Sequence, residues 1–518
     1  MYQHLAPSFA GAPPSVARVT SPLAALVLLV TLTGCASIVR QGGFPEVQEL
    51  ASQRGISETL EWHDDEASGQ AKREAVERLL AEDLSAGSAV QLALLNSPAL
   101  QATYEELGLA QADVVQAGLV KNPTLTAAAL FGGVSPTYDF DIVQNFLDAL
   151  FIPARSRISE AQFERARLQV AGEVFKLTTK VRAAFYTLQG AEQLVDVLKV
   201  VLESAEASGE FARNLHAAGN LSDLELETER ALVEDVRAEL MRARAAVVKP
   251  REELRELLGL SGSSGRFEIA RGLPGVPHHE PPLNSLLALA SESNLELAAA
   301  NKERVVLTES LGTARTWRYF GGIEVGAETH REQGEKNWVS GPSLSVELPI
   351  FDQRQADIFR LESELRQSER RAESAAVSVA ADVRRAYGAL ESARTLSEHY
   401  RGALLPVRRR VVELSQEHYN FMLLGAFELL RAKREEITGY SDYVQAVGDY
   451  WIARAELEEA VGKRIPLEGS LEPTPLPLAG ERPMSSTHAQ HGSGASASKQ
   501  RTTSTTSSPA AGRHHGEH

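Results

Sequence analysis

Apolar and small residues recur at alternating intervals of four and three positions over a long stretch of the chain. The series consists of Val174, Leu177, Val181, Ala184, Leu188, Ala191, Val195, Leu198, Leu202 and Ala205. This spacing is typical of a helix that packs along another helix as a coiled coil. No proline occurs between Pro153 and Pro250, and the first turn signal is Gly219-Asn220. The pattern predicts a helix of about 60 residues, a tight reversal and a return helix of about 35 residues.

The same pattern occurs a second time in the C-terminal half. Residues 180–191 (KVRAAFYTLQGA) align with residues 382–393 (DVRRAYGALESA). The second series of apolar positions runs from Val379 to Leu414, and Leu424–Ala426 marks its reversal. An offset of about 200 residues is too long for a solenoid repeat and indicates a tandem duplication.

Two other regions alternate apolar and polar residues with a period of two. They span about 122–148, where one strand would reach Phe146, and about 317–349. Four runs of about ten residues with one apolar face match transmembrane β-barrel strands, and ordinary half-buried hairpins are the alternative. In the third run the odd-numbered residues from Trp317 to Ala327 would face lipid. Its polar face would carry Arg318, Glu324 and Glu328.

Four strands cannot close a barrel, and an open sheet edge is not tolerated in lipid. If these strands cross a membrane, several copies of the chain must share one barrel. Three copies would give twelve strands, an even number within the range of known barrels. The strand pattern therefore predicts an oligomer.

The N-terminus contains a short apolar segment, Leu23–Leu32, behind Arg18. This segment is too short to span a bilayer and is typical of a signal peptide. It ends in Leu-Thr-Gly-Cys at Cys35, which looks like a bacterial lipobox. We therefore predict that residues 1–34 are removed and that Cys35 carries a covalent lipid; Ala36 favours the outer membrane. The alternative is an ordinary signal peptide with a chance cysteine.

Composition excludes several classes of function. The net charge of −16 argues against a nucleic-acid partner. Cys35 is the only cysteine, so disulfides within the chain and Cys-based metal sites are excluded. The run His278-His279-Glu280 lies between two prolines and lacks the helical frame of a zinc HExxH site. With no phosphate loop or nucleophile motif either, we predict that the chain is not an enzyme and has no cofactor besides the lipid.

The remaining segments complete the predicted domain organisation. In order it comprises a signal peptide (1–34), a lipidated arm with a short helix near Ala71–Ala81 (35–84), a first repeat (85–264, helical hairpin about 153–260), a linker (265–281), a second repeat (282–464, helical hairpin about 352–462) and a tail (465–518). The tail is rich in Pro, then in Ser and Thr, and is predicted to be disordered. Its histidines are either simply solvated or weak metal-collecting sites. They are His488, His491, His514, His515 and His518.

The ordered set of these features resembles the TolC-type outer-membrane efflux proteins, specifically the lipoproteins that serve tripartite pumps. The resemblance rests on the lipobox at Cys35, on Asn96–Leu100, on residues 341–352 (GPSLSVELPIFD) leading into a long helix, and on one hairpin reversal in each half. It implies a mostly α-helical fold with membrane β-strands. Three copies would form a twelve-helix α-barrel and share a twelve-stranded transmembrane β-barrel.

In such proteins the periplasmic tips of the hairpins close the tube and dock an adaptor protein. By resemblance the tips here are Gly219, Asn220, Leu221, Ser222, Asp223, Gly425, Ala426 and Phe427. Phe427 is the only aromatic residue that we assign to either reversal. The family often places two acidic residues three apart at the pore constriction, where this chain has Glu428 and Arg431. Because Arg431 departs from that pattern, we expect a single ring of Glu428 side chains, paired with Arg431 between subunits, in place of a double acidic gate. An i,i+3 pair of the two residues on one solvated helix face is the alternative.

The resemblance implies a passive exit duct that extends from the outer membrane into the periplasm. It would conduct substrates from a periplasmic adaptor and an RND-type inner-membrane pump to the outside. The tail histidines suggest heavy-metal ions such as copper as cargo. The alternative function is that of a periplasmic adaptor, which would show one hairpin flanked by lipoyl-like and β-rich segments rather than two hairpins and amphipathic strands.

Overall fold

The computed structural model describes residues 39, 41–63, 66–132, 136–261, 266–319, 321–331 and 337–467. Cys35 and the tail histidines lie outside the described residues. The described residues all belong to one compact unit, Met1–Pro477.

Helices dominate the described chain, and four strands interrupt them in two pairs. The N-terminal half contains α1 (Phe44–Gln53), α2 (Glu66–Leu80), α3 (Ala86–Asn96), α4 (Pro98–Gly118), β1 (Thr124–Leu130), β2 (Thr137–Asn145), α5 (Phe146–Leu150), α6 (Ile152–Ala217), α7 (Asp223–Ala246) and α8 (Val248–Leu257). The C-terminal half contains α9 (Leu283–Ser293), α10 (Leu295–Trp317), β3 (Ile323–Arg331), β4 (Val339–Val346), α11 (Gln355–His399), a π-helical turn (Tyr400–Leu404), α12 (Leu405–Asn420) and α13 (Ala426–Val461).

The first hairpin is built on α6, which has 66 residues and is therefore about 100 Å long. The ten positions of its predicted 4-3 series are all buried or half-buried, which confirms the coiled-coil interpretation. The helix ends before Gly219, whose φ of 74° is in the left-handed region that glycine tolerates. Ser222 then caps α7, and Glu225 completes a capping box.

The return arm of this hairpin differs from the prediction of one helix. It is divided at Val247 into α7 and α8. Pro250 lies in the first turn of α8 and has no N–H to donate to the carbonyl of Ala246, so a continuous helix would lose a hydrogen bond and acquire a clash there.

The second hairpin also departs from a simple pair of helices. The first part of its predicted apolar series, from Val379 to Ala393, is buried as predicted; we call this part the upper series. The lower part of that prediction is wrong for a single chain, because Val407, Val411 and Leu414 are exposed. The π-helical turn separates these two parts.

Within each half of the chain, an asparagine side chain ties the end of the last helix of that half to an earlier helix start. The side chain of Asn96 donates to the carbonyls of Leu258 and Gly259 at 2.9 Å each. Asn294 donates in the same way to the carbonyl of Ala460 at 3.1 Å. The C-terminal end of α8 therefore abuts the start of α4, and that of α13 abuts the start of α10.

The N-terminal arm contributes more to the core than the sequence suggested. Phe44 and Trp62 pack on Tyr104 of α4, with the ring centroids of Phe44 and Tyr104 5.0 Å apart. The sequence pattern did not predict helix α1, which carries Phe44, because only four apolar residues mark it in an otherwise polar segment. The predicted short helix near residues 71–81 corresponds to α2.

The four strands form one sheet in the order β1-β2-β3-β4, and every neighbouring pair is antiparallel. Two predicted boundaries were wrong. Phe146 begins α5, because the side chain of Asn145 accepts a hydrogen bond from the N–H of Asp148 at 3.0 Å and caps this helix. Trp317 ends α10, and β3 begins only at Ile323, so Arg318 does not belong to the polar face of a strand.

Candidate functional site

One face of the sheet is apolar across all four strands. The register places Ile142 of β2 between Leu125 of β1 and Ala327 of β3. Val325 and Leu344 are paired on the same face. Leu125, Ile142 and Leu344 are exposed in the single chain, so none of the described residues covers this part of the face. Among the described residues no helix combines the length and apolar character needed to cross a membrane.

The opposite face of the sheet is acidic. Asp139 pairs with His330, and Asp141 lies directly opposite Glu328. Glu324 shares this face through its pairing with Asn145, so the predicted common face of Glu324 and Glu328 is confirmed. The described strand residues place no Lys or Arg on this side. Like charges directly across a strand pair are unfavourable, so this face favours a water-filled environment that contains cations.

Both outer strands of the sheet have one edge without a strand partner among the described residues. β1 pairs only with β2, and β4 pairs only with β3. Unpaired backbone N–H and C=O groups cost several kcal/mol each in hydrocarbon. A single copy of this sheet is therefore incomplete as a membrane element.

The tip of the first hairpin is a short, rigid reversal. Nε2 of His216 lies 2.8 Å from Oδ1 of Asp223, which ties the last turn of α6 to the first turn of α7. The hydroxyl of Ser222 contacts the carboxylate of Glu225 at 2.6 Å. Leu224 points into solvent, and it is the exposed apolar side chain at this tip.

The tip of the second hairpin exposes a continuous apolar loop. Phe421, Met422 and Leu423 have 75%, 94% and 72% of their surface exposed, and Met422 has a φ of 59°. Phe427 turns instead towards the first hairpin, where its ring centroid lies 5.9 Å from that of Phe211. The prediction that Phe427 is the only aromatic residue at either reversal is therefore wrong. Phe421 also lies at this reversal, and its side chain is the exposed one.

A groove of about 480 Å³ separates the two hairpins close to their tips. Its walls include Glu229 and Asp235 from α7 and Glu428, Arg431 and Arg434 from α13. Glu428 has no ion pair among the described residues. Arg431 instead approaches Glu435, with Nε 3.4 Å from Oε1. The alternative in which Glu428 and Arg431 pair on one helix face is therefore wrong, and both side chains are exposed in the protomer.

A buried ionic network lies far from the tips and was not foreseen. Arg454 of α13 contacts Glu280 at 3.2 Å and Glu458 at 3.5 Å, and all three side chains are at most 4% exposed. Arg182 of α6 reaches Glu458 at 2.8 Å. Tyr450 donates its hydroxyl to Glu280, and burial together with that carboxylate raises the tyrosine pKa. The acid of the run His278-His279-Glu280 thus fixes the linker to the long helices rather than binding zinc.

No group of three or more His, Cys, Asp or Glu side chains within the described ranges is arranged to hold a metal ion. The tail histidines are not part of those ranges.

The chain matches the family model for outer membrane efflux proteins over residues 89–260 and 286–463. The two matched segments together cover more than half of the sequence. The chain belongs to the outer membrane efflux protein family. No protein of curated function matches it.

Solved structures of similar fold include three channel proteins. They are CusC (16% identity, TM-score 0.60, 74% of this chain and 92% of that chain), the outer membrane channel CmeC of Campylobacter jejuni (13%, 0.60, 81% and 93%) and the MtrE outer membrane channel of Neisseria gonorrhoeae in its open state (17%, 0.58, 72% and 88%). At these identities the likeness concerns the fold.

Membership of this family confirms several predictions for this efflux protein. The fold is mostly α-helical with membrane β-strands, and the protein is a channel of the tripartite-pump type rather than an enzyme. The family also sets aside the adaptor alternative.

Proposed function

We propose that three copies of this efflux protein form an outer-membrane exit duct for a tripartite pump. The duct would receive substrates from a periplasmic adaptor and an RND-type inner-membrane pump and would conduct them passively to the outside. The observation that carries this proposal is the four-stranded sheet with one apolar face and two unpaired edges. If β1 of each copy pairs with β4 of the next, three copies close a barrel of twelve strands and leave no edge in lipid.

Assembly of the intact protein in outer-membrane fractions tests this proposal. Stable β-barrel trimers should migrate as a trimer in detergent gels without heating and as a monomer after boiling. A monomeric band in unheated membranes, with the protein extracted by high salt, would contradict a shared barrel.

A covalent lipid on Cys35 would hold the N-terminus at the outer membrane. The support is the short apolar segment that ends in Leu-Thr-Gly-Cys. Acyl chains contribute about 0.8 kcal/mol per buried CH₂, so two or more chains anchor stably. The barrel would provide an independent attachment.

The hairpin tips are the proposed docking and gating end. The groove between the hairpins offers both charge signs and the half-buried ring of Phe427, a surface that an adaptor hairpin could occupy. The docking residues would be Gly219, Asn220, Leu221, Ser222, Asp223, Gly425, Ala426 and Phe427. Glu428, for which the described part of the chain supplies no ion pair, would form a threefold ring of carboxylates, and Arg431 or a bound cation would offset its repulsion.

The cargo is proposed to be a cation, specifically a heavy-metal ion. Two features support this proposal: the acidic face of the sheet, which carries Asp139, Asp141, Glu324 and Glu328, and the tail histidines. One-sided charge in a narrow passage raises the local concentration of counter-ions. In planar bilayers the reversal potential should show cation selectivity, and loss of the gene should lower metal tolerance. A change in drug tolerance alone would refute metal as the cargo.

A further inference from the structure

The first hairpin reverses through a helix C-cap of the Schellman type. The N–H of Gly219 donates to the carbonyl of His216 at 2.9 Å. The N–H of Asn220 donates to the carbonyl of Leu215 at the same distance. This motif requires a left-handed backbone at the residue after the cap, and Gly219 provides it with a φ of 74°. Glycine is the usual residue there because it has no Cβ to clash.

The second hairpin builds the same cap around a methionine. The N–H of Met422 donates to the carbonyl of Tyr419 at 2.9 Å. The N–H of Leu423 donates to the carbonyl of His418, also at 2.9 Å. Met422 therefore stands where the first hairpin has Gly219, with a φ of 59°. A side chain in this left-handed conformation costs conformational energy that glycine avoids.

The described part of the chain does not cover this loop. In caps of this type an apolar residue at the position of Leu423 often packs on the last turn of the helix. Here Leu423 is 72% exposed, and the last turn presents the polar residues Glu417 and His418. Met422 itself is 94% exposed. Strained residues cluster at functional sites, which points to a contact of Met422 outside the protomer.

The thioether of Met422 gives the loop Phe421–Leu423 two properties at once. It is apolar and flexible, so it adapts to irregular apolar surfaces. It is also the group in this loop that a mild oxidant converts into a polar one, because methionine sulfoxide carries an S=O group. Reductases return the sulfoxide to the thioether. The apolar character of this loop can therefore be switched reversibly.

Met241 provides an internal comparison. It is the other methionine of the described ranges, and it lies in α7 with 63% of its surface exposed. Its backbone is helical, and it lies 18 residues beyond the start of α7 at Asp223, or about 27 Å from the tip. Oxidation of Met241 would therefore leave the tip unchanged.

We propose that Met422 is a site of reversible oxidation and that its sulfoxide weakens docking of the adaptor at the tip. The effect on docking rests on the proposed function, whereas the oxidation does not. A peroxide in the periplasm supplies the oxygen atom: its O–O bond breaks and an S–O bond forms on the thioether. The proton of the transferred oxygen joins the departing hydroxide to give water. The sulfur loses two electrons and the peroxide gains them; a sulfoxide reductase reverses the change with a dithiol, which leaves as a disulfide together with water.

Peptide mapping of peroxide-treated trimers tests the modification. Full-length lipidated trimers are exposed to hydrogen peroxide for increasing times, quenched with catalase and digested. Mass spectrometry then follows the addition of one oxygen at Met422 and at Met241. Met422 should be oxidised severalfold faster than Met241, and sulfoxide reductases of both stereospecificities should restore it. Oxidation of Met422 at the rate of Met241, or more slowly, would overturn the proposal.

Surface plasmon resonance measures the consequence for docking. The probe is a purified RND-type periplasmic adaptor chosen because it binds untreated wild-type trimers, and only the channel is treated with peroxide. Oxidation should raise Kd about five- to tenfold, a change typical of a lost apolar anchor, and enzymatic reduction should reverse it. Met422→Leu keeps an apolar side chain without sulfur, so peroxide should not change its Kd. An unchanged Kd of the oxidised wild type, or equal sensitivity of Met422→Leu, would refute the switch.

Two further variants separate the side chain from the fold. Met422→Gly removes the side chain but suits the left-handed backbone, so trimers should assemble and bind as weakly as the oxidised wild type. Met241→Leu is the matched control and should keep the full sensitivity to peroxide. Wild-type affinity of Met422→Gly would contradict a contact of this side chain. If no adaptor binds untreated trimers, docking at the tips is wrong and so is the consequence of oxidation, whereas the peptide map still decides whether Met422 is the oxidation site.

Discussion

Ile142 provides the sharpest test of which face of the sheet meets lipid. It lies one residue from the centre of β2 and is flanked by Leu125 and Ala327 on the apolar face. An arginine at the bilayer midplane of a β-barrel costs about 2–4 kcal/mol. In three copies Ile142→Arg would therefore cost about 6–12 kcal/mol per trimer. We expect the trimer band to disappear from outer-membrane fractions in unheated gels.

Thr126→Arg is the matched control for this substitution. Thr126 lies on the opposite face, where its partner across the strand pair is Asp141. The charge changes by the same amount as in Ile142→Arg, but the new guanidinium meets water and a carboxylate. The control should assemble normally. Equal assembly of the two variants, or failure of the control alone, would refute the assignment of the two faces.

Three further predictions concern the anchor, the gate and the buried network. Cys35→Ala should remove the lipid mass from the mature protein and weaken membrane attachment while trimers persist; an unmodified Cys35 in the wild type would refute lipidation. Glu428→Ala should reduce block by divalent cations in planar bilayers and Arg431→Ala should raise resting conductance, and unchanged values would place the constriction elsewhere. Glu280→Ala should destabilise the protein by about 3–5 kcal/mol because it leaves Arg454 buried with one partner fewer. The measurement is the urea concentration at the midpoint of unfolding, which should fall. The control is Glu268→Ala, which removes a glutamate side chain that is largely exposed and should leave the midpoint nearly unchanged.

The features that depend on local periodicity could be predicted from the sequence. The 4-3 series of α6 and the upper series of α11 were recovered residue by residue, because each is buried along one continuous helix. The period of two located the strands and their faces. It failed at Phe146 and Trp317, since a cap or a helix end can carry an aromatic residue as readily as a strand end does.

Other features depend on contacts that periodicity does not report. The apolar pattern of the second hairpin continues through Val407, Val411 and Leu414, but these side chains are exposed in the single chain. A sequence pattern predicts that a helix face is apolar, but it does not tell whether the same chain or another copy packs against that face. The orientation of Phe427 depends on Phe211 in the other hairpin. The partner of Glu280 is Arg454, far along the sequence, and no local signal connects them.

Pairing of β1 with β4 between copies is the central claim, and cysteine cross-linking tests it most directly. Cys35 is the only native cysteine, so a cysteine at Ala128 on β1 can be combined in turn with one at Gly341, Ser343 or Ser345 on the same face of β4. A disulfide forms only when Cα atoms come within about 7 Å, and head-to-tail pairing around a threefold axis links three chains into a ring. At least one combination should give a covalent trimer that survives boiling and separates on reduction. Cross-linking that stops at dimers, or that extends beyond three chains, would contradict the shared barrel.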